Sequence, residues 1–305
     1  MSTLHDIDPQ HGDPASCAAV DMVVVPRAHD IGDGFMVRRA LPTAGRRMVG
    51  PFIFLDQMGP VLLPPGRGVD VRPHPHIGLA TVTYLYEGEI MHRDSLGSAL
   101  PIRPGELNWM TAGSGIAHSE RSGADWRAHG GTLSGLQLWV ALPQAQEETA
   151  PAFDHYDAAH LPIVKDNGVE ARIIAGAALG ARSPVQTFCD TVFVDFNLAA
   201  GASAPVDAAH EERALYIFSG SVEIAGDTFE AGRLVVLKPG AGIAVRAVAP
   251  ARFALIGGET ADGPRHIWWN FVSARKERIE QAKADWAAGR FAAVPGESEF
   301  IPLPG

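Results

Sequence analysis

From "DMVVVPRA" onward, apolar and polar residues alternate in short runs bounded by turn residues. "PFIFLDQM", "ATVTYLYEG", "LNWMTA" and "GLQLWVALP" fall before about residue 150. "VEARIIAG", "TVFVDFNL", "ALYIFSG", "SVEIAG", "RLVVLKPG" and "RFALIGGE" follow it. Period-two runs of this length and density predict β-strands arranged as sandwiches or barrels. Only "SARKERIEQAKADWAAGR" changes period. There Ile279, Ala282 and Trp286 make an i, i+3, i+7 stripe, Ser273 offers a cap and Gly289 a stop, predicting one amphipathic helix that packs on a barrel through Ile279 and Trp286.

The two sets of strands repeat one another. When "YLYEGEI" from Tyr84 is laid on "YIFSGSV" from Tyr216, Gly88 falls on Gly220. Downstream, "PGELNWMTAG" matches "AGRLVVLKPG", with Gly105 and Gly113 opposite Gly232 and Gly240 and Leu107 opposite Leu234. Shared turn glycines with matched strand residues imply a duplicated β-domain. The expected fold class is therefore all-β, two tandem β-sandwiches or barrels with a C-terminal helix. Its expected divisions are a flexible tail over 1–20, barrels over 21–145 and 146–265, and a helix with its tail over 266–305.

Composition adds boundaries. At 305 residues, 46% hydrophobic and 20% charged, with 33 Gly and 23 Pro, the chain reads as a globular protein rich in turns. A net charge of −10 without a Lys/Arg run argues against direct nucleic-acid binding. No apolar run approaches the roughly 18 residues that would span a bilayer. The polar, acidic start "MSTLHDIDPQHGDPAS" does not resemble a signal peptide, and two cysteines, Cys17 and Cys189, suit a reducing compartment. The expected location is the cytoplasm.

The chemistry concentrates in two short pairs. In "GVDVRPHPHIG", His74 and His76 are one residue apart, and in "TAGSGIAHSE" so are His118 and Glu120. On a strand each pair shares a face, so two such strands lining one barrel can converge four donors on one ion. Imidazole nitrogen suits iron, nickel, copper and zinc, and the carboxylate adds a hard oxygen. Carried through the internal repeat, His74 falls on Val206, His76 on Ala208, His118 on Val245 and Glu120 on Ala247. The second barrel is expected to hold no metal. Polar residues on neighbouring strands, His92, Asp94 and Asn108, are candidates for partnering the ligand histidines, and Met110 for lining the barrel.

"GVDVRPHPH" and "GSGIAH" followed by "SE" resemble the two cupin motifs. More narrowly, "HPHIGLATVTYLYEGEIMHRDSLG" with "IRPGELNWMTAGSGIAHSE" resembles the pirin branch of the cupins, over nearly the whole chain. The resemblance implies an all-β bicupin, two tandem jelly-roll barrels with a C-terminal helix, and one divalent metal in the N-terminal barrel, iron(II) first, with nickel, copper, manganese, cobalt and zinc as substitutes. His74, His76, His118 and Glu120 would be the ligands. It implies an activity like that of quercetin 2,3-dioxygenases, with a flavonol-like enol and O2 as substrates and Glu120 as the general base. The alternative it carries is a redox-sensitive regulatory protein acting through a protein partner. Ala80 stands where many cupins carry glutamate, which is expected to alter the pocket wall.

Overall fold

The computed structural model describes residues 17–31, 35–240 and 242–304. They form two compact units. One comprises residues 28–161, 186–189 and 260–304, the other residues 17–27, 162–185 and 190–259. Each unit is a β-barrel of two facing sheets, as the alternating runs require.

In the first unit a seven-stranded sheet runs in the order Ala152–Tyr156, Leu107–Thr111, Leu79–Glu87, Gly131–Ala141, Phe52–Leu63, Met36–Leu41, Arg27–Asp30. A four-stranded sheet runs Asp70–His76, Ile116–Arg121, Ile90–Asp94, Ala99–Ile102. The second unit repeats both orders. Its large sheet is Val20–Val24, Arg233–Leu237, Glu212–Ser219, Ala251–Gly258, Thr191–Leu198, Val169–Ala175, Ile163–Asp166, and its small one Ser203–Val206, Ile243–Ala247, Ser221–Ile224, Asp227–Glu230. Apart from the edge strands Ala152–Tyr156 and Val20–Val24, which come from different places along the chain, the strands correspond one for one, as a duplicated domain produces.

The divisions along the chain differ from those expected. The tail expected over 1–20 falls outside the described residues up to residue 16. Beyond that point Cys17, Ala19 and Val20 are buried in the core of the second barrel. Val20–Val24 is that barrel's edge strand, paired with Leu234–Leu237, because its alternating Val and Met side chains complete the apolar face there. The C-terminal segment joins the first unit. Its helix, Lys276–Ala287, buries Ile279 and Ala282 in a cluster with Ile77 and Phe271, and Trp286 packs against the same cluster. Ser273 does not cap this helix: its hydroxyl donates to Glu147 Oε2 at 2.8 Å, and the N-cap position is Arg275. Gly289, at φ +66°, ends it as the stop signal requires. Among the described residues no helix is long and apolar enough to cross a membrane.

Alternation fixes what the first barrel holds inside. Along Leu79–Glu87 the inward positions read Leu79, Thr81, Thr83, Leu85. Leu79 belongs to an apolar cluster with Ile53, Met110, Ile116 and Trp139, and Leu85 to another with Val69, Ile90 and Leu133. On the facing strands an apolar residue leads into two polar ones, Ile116–His118–Glu120 and Ile90–His92–Asp94, with Ile116 in the first apolar layer and Ile90 in the second. A polar belt therefore lies between two hydrophobic layers.

Candidate metal centre

The belt assembles from two strands whose pairing is set by their own residues. His118 lies opposite His74 and Ile116 opposite His76 in the antiparallel pair. Beyond His118 the register breaks with a bulge, so that Glu120 meets Val71. The bulge turns Arg72 outward to solvent, where strict alternation from His74 would have sent it inside. On the other flank Ile116–Arg121 pairs in regular register with Ile90–Asp94, placing Asp94 beside His118 and His92 beside Glu120.

The three imidazoles are packed together, with ring centroids 4.4 Å apart for His74 and His118 and 5.0 Å for His76 with each of the others. One ring nitrogen from each falls within 4.8 Å of the others, so the trio can hold a metal ion. Their tautomers follow from their partners. His74 Nδ1 lies 2.9 Å from Arg72 O and His76 Nδ1 3.2 Å from Asn270 O, and a carbonyl can only accept. Both Nδ1 atoms therefore carry the proton, leaving Nε2 of each as a bare lone pair when the ring is neutral.

Burial keeps the rings neutral. It lowers His74 to about 4 from 6.5, against the opposing Arg72 hydrogen bond and together with the nearby His92. Burial and then the other histidines hold His76 and His118 well below the usual imidazole range. Both nitrogens of His118 are buried without a hydrogen-bond partner. An orphaned imidazole costs stability unless something accepts its lone pair, and a cation between three neutral rings does so. The donor set thus fits a metal ion on the structure's own terms.

Glu120 stands apart from the trio. It is not in the group of mutually close donors, and its Oε1 accepts from Thr83 Oγ1 at 3.3 Å. Thr83 is also 2.9 Å from the amide oxygen of Gln137. A hydroxyl has one proton, so the two acceptors compete for it unless the Gln137 amide turns end for end and donates. Burial raises the Glu120 carboxyl above the ordinary range, offset in part by His92 and the Thr83 bond.

Of the other residues expected nearby, His92 and Asp94 are brought to the site. His92 lies 5.3 Å from the His118 ring, stacks on Phe153 at 4.2 Å and donates from Nε2 to Asp94 Oδ2 at 3.0 Å. Burial pushes Asp94 up, but bonds from His92 and Ser98 outweigh it and bring the carboxyl below its ordinary value. Asn108 serves another residue: its Oδ1 accepts a hydrogen bond from His155 Nδ1 at 2.7 Å. Met110 is buried in the apolar layer with Leu79 and Trp139. Ala80 shares its face with Val82 and Tyr84, opposite to Thr81 and Thr83, so the expected change of pocket wall does not arise from it. Thr83, Phe153 and Trp139, whose ring is 5.2 Å from His76, went unnoticed in the sequence. Only the alternation Ala80–Thr81–Val82–Thr83 carried a signal for any of them.

In the second barrel the strand pairing corrects two of the internal equivalences. Val245 pairs with Ala204 as His118 pairs with His74, so His74 corresponds to Ala204 and His76 to Val206. Ala204, Val206, Val245 and Ala247 are all buried in that barrel's apolar core. His210, the histidine that follows the strand Ser203–Val206, bonds Asp190 Oδ2 at 2.7 Å and Ala177 O at 3.2 Å.

Two cupin barrels, the first with a histidine-lined interior, define the class. Comparison with known proteins gives the family. The pirin family matches residues 34–140 and the pirin C-terminal cupin domain residues 193–292. A pirin-like protein of Caulobacter vibrioides is 50% identical over 290 residues, covering 93% of this chain and 99% of that protein. A Pseudomonas aeruginosa protein provisionally named a quercetin 2,3-dioxygenase is 40% identical, covering 87% of this chain and 83% of that protein. A crystal structure of quercetin 2,3-dioxygenase from Acinetobacter baumannii superimposes with a TM-score of 0.86 at 35% identity, covering 93% of this chain and 95% of that one. The chain belongs to the pirin family.

Proposed function

We propose that the protein is a metal-dependent dioxygenase that opens a flavonol-type enol with O2, releasing carbon monoxide. His74, His76 and His118 would hold one divalent ion, iron(II) by the pirin resemblance, and Glu120 would join them by turning its carboxylate from Thr83. The observation that carries this reading is the trio of neutral imidazoles, one with both nitrogens unpartnered, beside a carboxyl raised by burial. Names of relatives and a structural neighbour add weight. When bound, the metal would act as a Lewis acid, stabilising the negative charge of the deprotonated substrate oxygen.

The chain's own residues supply the proton chemistry and the shape. An ordinary carboxylate is too weak a base for an enol, and burial moves Glu120 toward a matched pKa. Until it turns to the ion, the Glu120 carboxylate is held by the Thr83 hydroxyl. His92, held by Asp94 and stacked on Phe153, presents a fixed ring beside His118. The apolar layers above and below exclude water from the belt.

The test is oxygen uptake and carbon monoxide release by anaerobically iron-reconstituted protein on adding quercetin. Wild type should turn over, His118→Ala should lose turnover with its metal, and Glu120→Gln should keep metal while losing most turnover. A metallated wild type without quercetin-dependent uptake would remove the flavonol assignment. Full activity in Glu120→Gln would remove the base.

A further inference from the structure

We propose that Glu297, near the end of the chain, is a positioning residue for His118 and Glu120, and that the segment around it forms the outer support of the metal centre. The proposal rests on the metal reading given above.

On Ile116–Arg121 the inward residues are His118 and Glu120, so the outward ones are Ser119 and Arg121. One carboxylate grips both outward residues. Ser119 Oγ donates to Glu297 Oε1 at 2.8 Å, Arg121 Nε to the same oxygen at 2.9 Å, and Arg121 Nη2 to Oε2 at 2.8 Å. The two-pronged guanidinium contact fixes orientation as well as distance. This is no loose surface pair: Ser119 is fully buried and the Glu297 side chain is 9% exposed.

The grip falls where the strand needs it. The ladder to Asp70–His76 breaks between His118 and Glu120, leaving Ser119 without a register partner on that side. The extra residue lies on the Asp70–His76 side, so on this flank the ladder does not hold Ser119, and the two candidate ligands stand on either side of the break. Glu297 ties down the residue between them and the one after, from outside the barrel.

The same C-terminal segment reaches the other histidines. Ile301 N donates to Pro73 O, next to His74, at 2.8 Å. Asn270 O accepts from His76 Nδ1. Trp286 Nε1 donates to Ile301 O at 2.9 Å, fastening this strap to the helix. Every candidate ligand is therefore within one residue of a contact made by residues 270–301.

A carboxylate that merely staples the chain end would affect stability and leave the metal centre alone. A positioning carboxylate affects the ion. Cobalt(II) distinguishes them, because its visible d–d absorption reports ligand geometry and its affinity can be measured against a competing chelator. Full-length wild type should take up one cobalt per chain. Removing an outer support of this kind typically weakens metal binding about 10- to 100-fold. Since Glu297 acts through the strand, Glu297→Ala should fall near the lower end, about 10-fold, with a shifted spectrum. Glu297→Gln, whose amide oxygen still accepts one of the bonds, should show a smaller loss in the same direction, and it carries the test if Glu297→Ala does not fold. Glu299→Gln should match wild type, since Glu299 is 56% exposed and meets Arg121 only at the rim. Wild-type affinity and spectrum in Glu297→Ala or Glu297→Gln, even with a lowered unfolding temperature, would overturn the proposal. A wild type that takes up no cobalt would overturn the metal reading itself, and this proposal with it.

Discussion

Three buried imidazoles pressed together are a poor place for positive charge, and this gives the residue scale its clearest prediction. His74 titrates near 4 in the fold against 6.5 as a free imidazole. Between those values the unfolded chain binds more protons than the native one, so stability falls as pH falls through this window and is full above it. His74 alone contributes on the order of 3 kcal/mol to that loss, and His76 and His118 act in the same direction. Chelator-treated protein should therefore show a steep drop in urea midpoint between about pH 6.5 and 4. Saturating metal at pH 7 should raise the midpoint, because the ion binds only the assembled trio. A midpoint of the chelated protein that stays flat across the window would contradict the burial of neutral rings. The histidines were legible in the sequence because period two makes His-x-His a single-face pair. Glu120's separation from them was not, because the bulge beside Ser119 and the pull of Thr83 depend on a partner strand and a facing sheet.

Elements hold these residues through tight passages that tolerate no side chain. Gly78 leaves the His-Pro-His strand at φ +67°, and a Cβ there would meet Val272 O at 2.1 Å. Gly78→Ala thus adds left-handed strain to a backbone clash, and should cost at least about 2 kcal/mol. Thermal unfolding would check it, and a wild-type midpoint would contradict the close approach. The strands and the C-terminal helix could be read from periodicity alone, down to Ile279, Ala282 and the Gly289 stop. The role of Ser273 could not, since its hydroxyl is taken by Glu147, 126 residues away. Nor could the membership of Val20–Val24 in the second barrel, because an edge strand's partner is decided by register and not by position along the chain.

At the scale of the whole molecule, duplication has given two barrels of one topology and only one polar interior. The shared glycines exposed the repeat, and the loss of all four donors in the second copy was read from Val206, Ala208, Val245 and Ala247, the first two of which the ladders replace with Ala204 and Val206. The two-residue error in matching His74 and His76 arose because a loop-length difference cannot be placed without the ladders. The second interior is a packed core, so a lone donor there should be harmful. Val245→His should destabilise by roughly 2–4 kcal/mol, read from denaturant unfolding, and should bind no additional ion. The measurement that bears most directly on the central claim is metal stoichiometry by equilibrium dialysis of untagged protein, wild type against His118→Ala. The account predicts one ion per chain in the wild type and none retained in the variant. Two ions per chain, or one that survives the loss of His118, would contradict it.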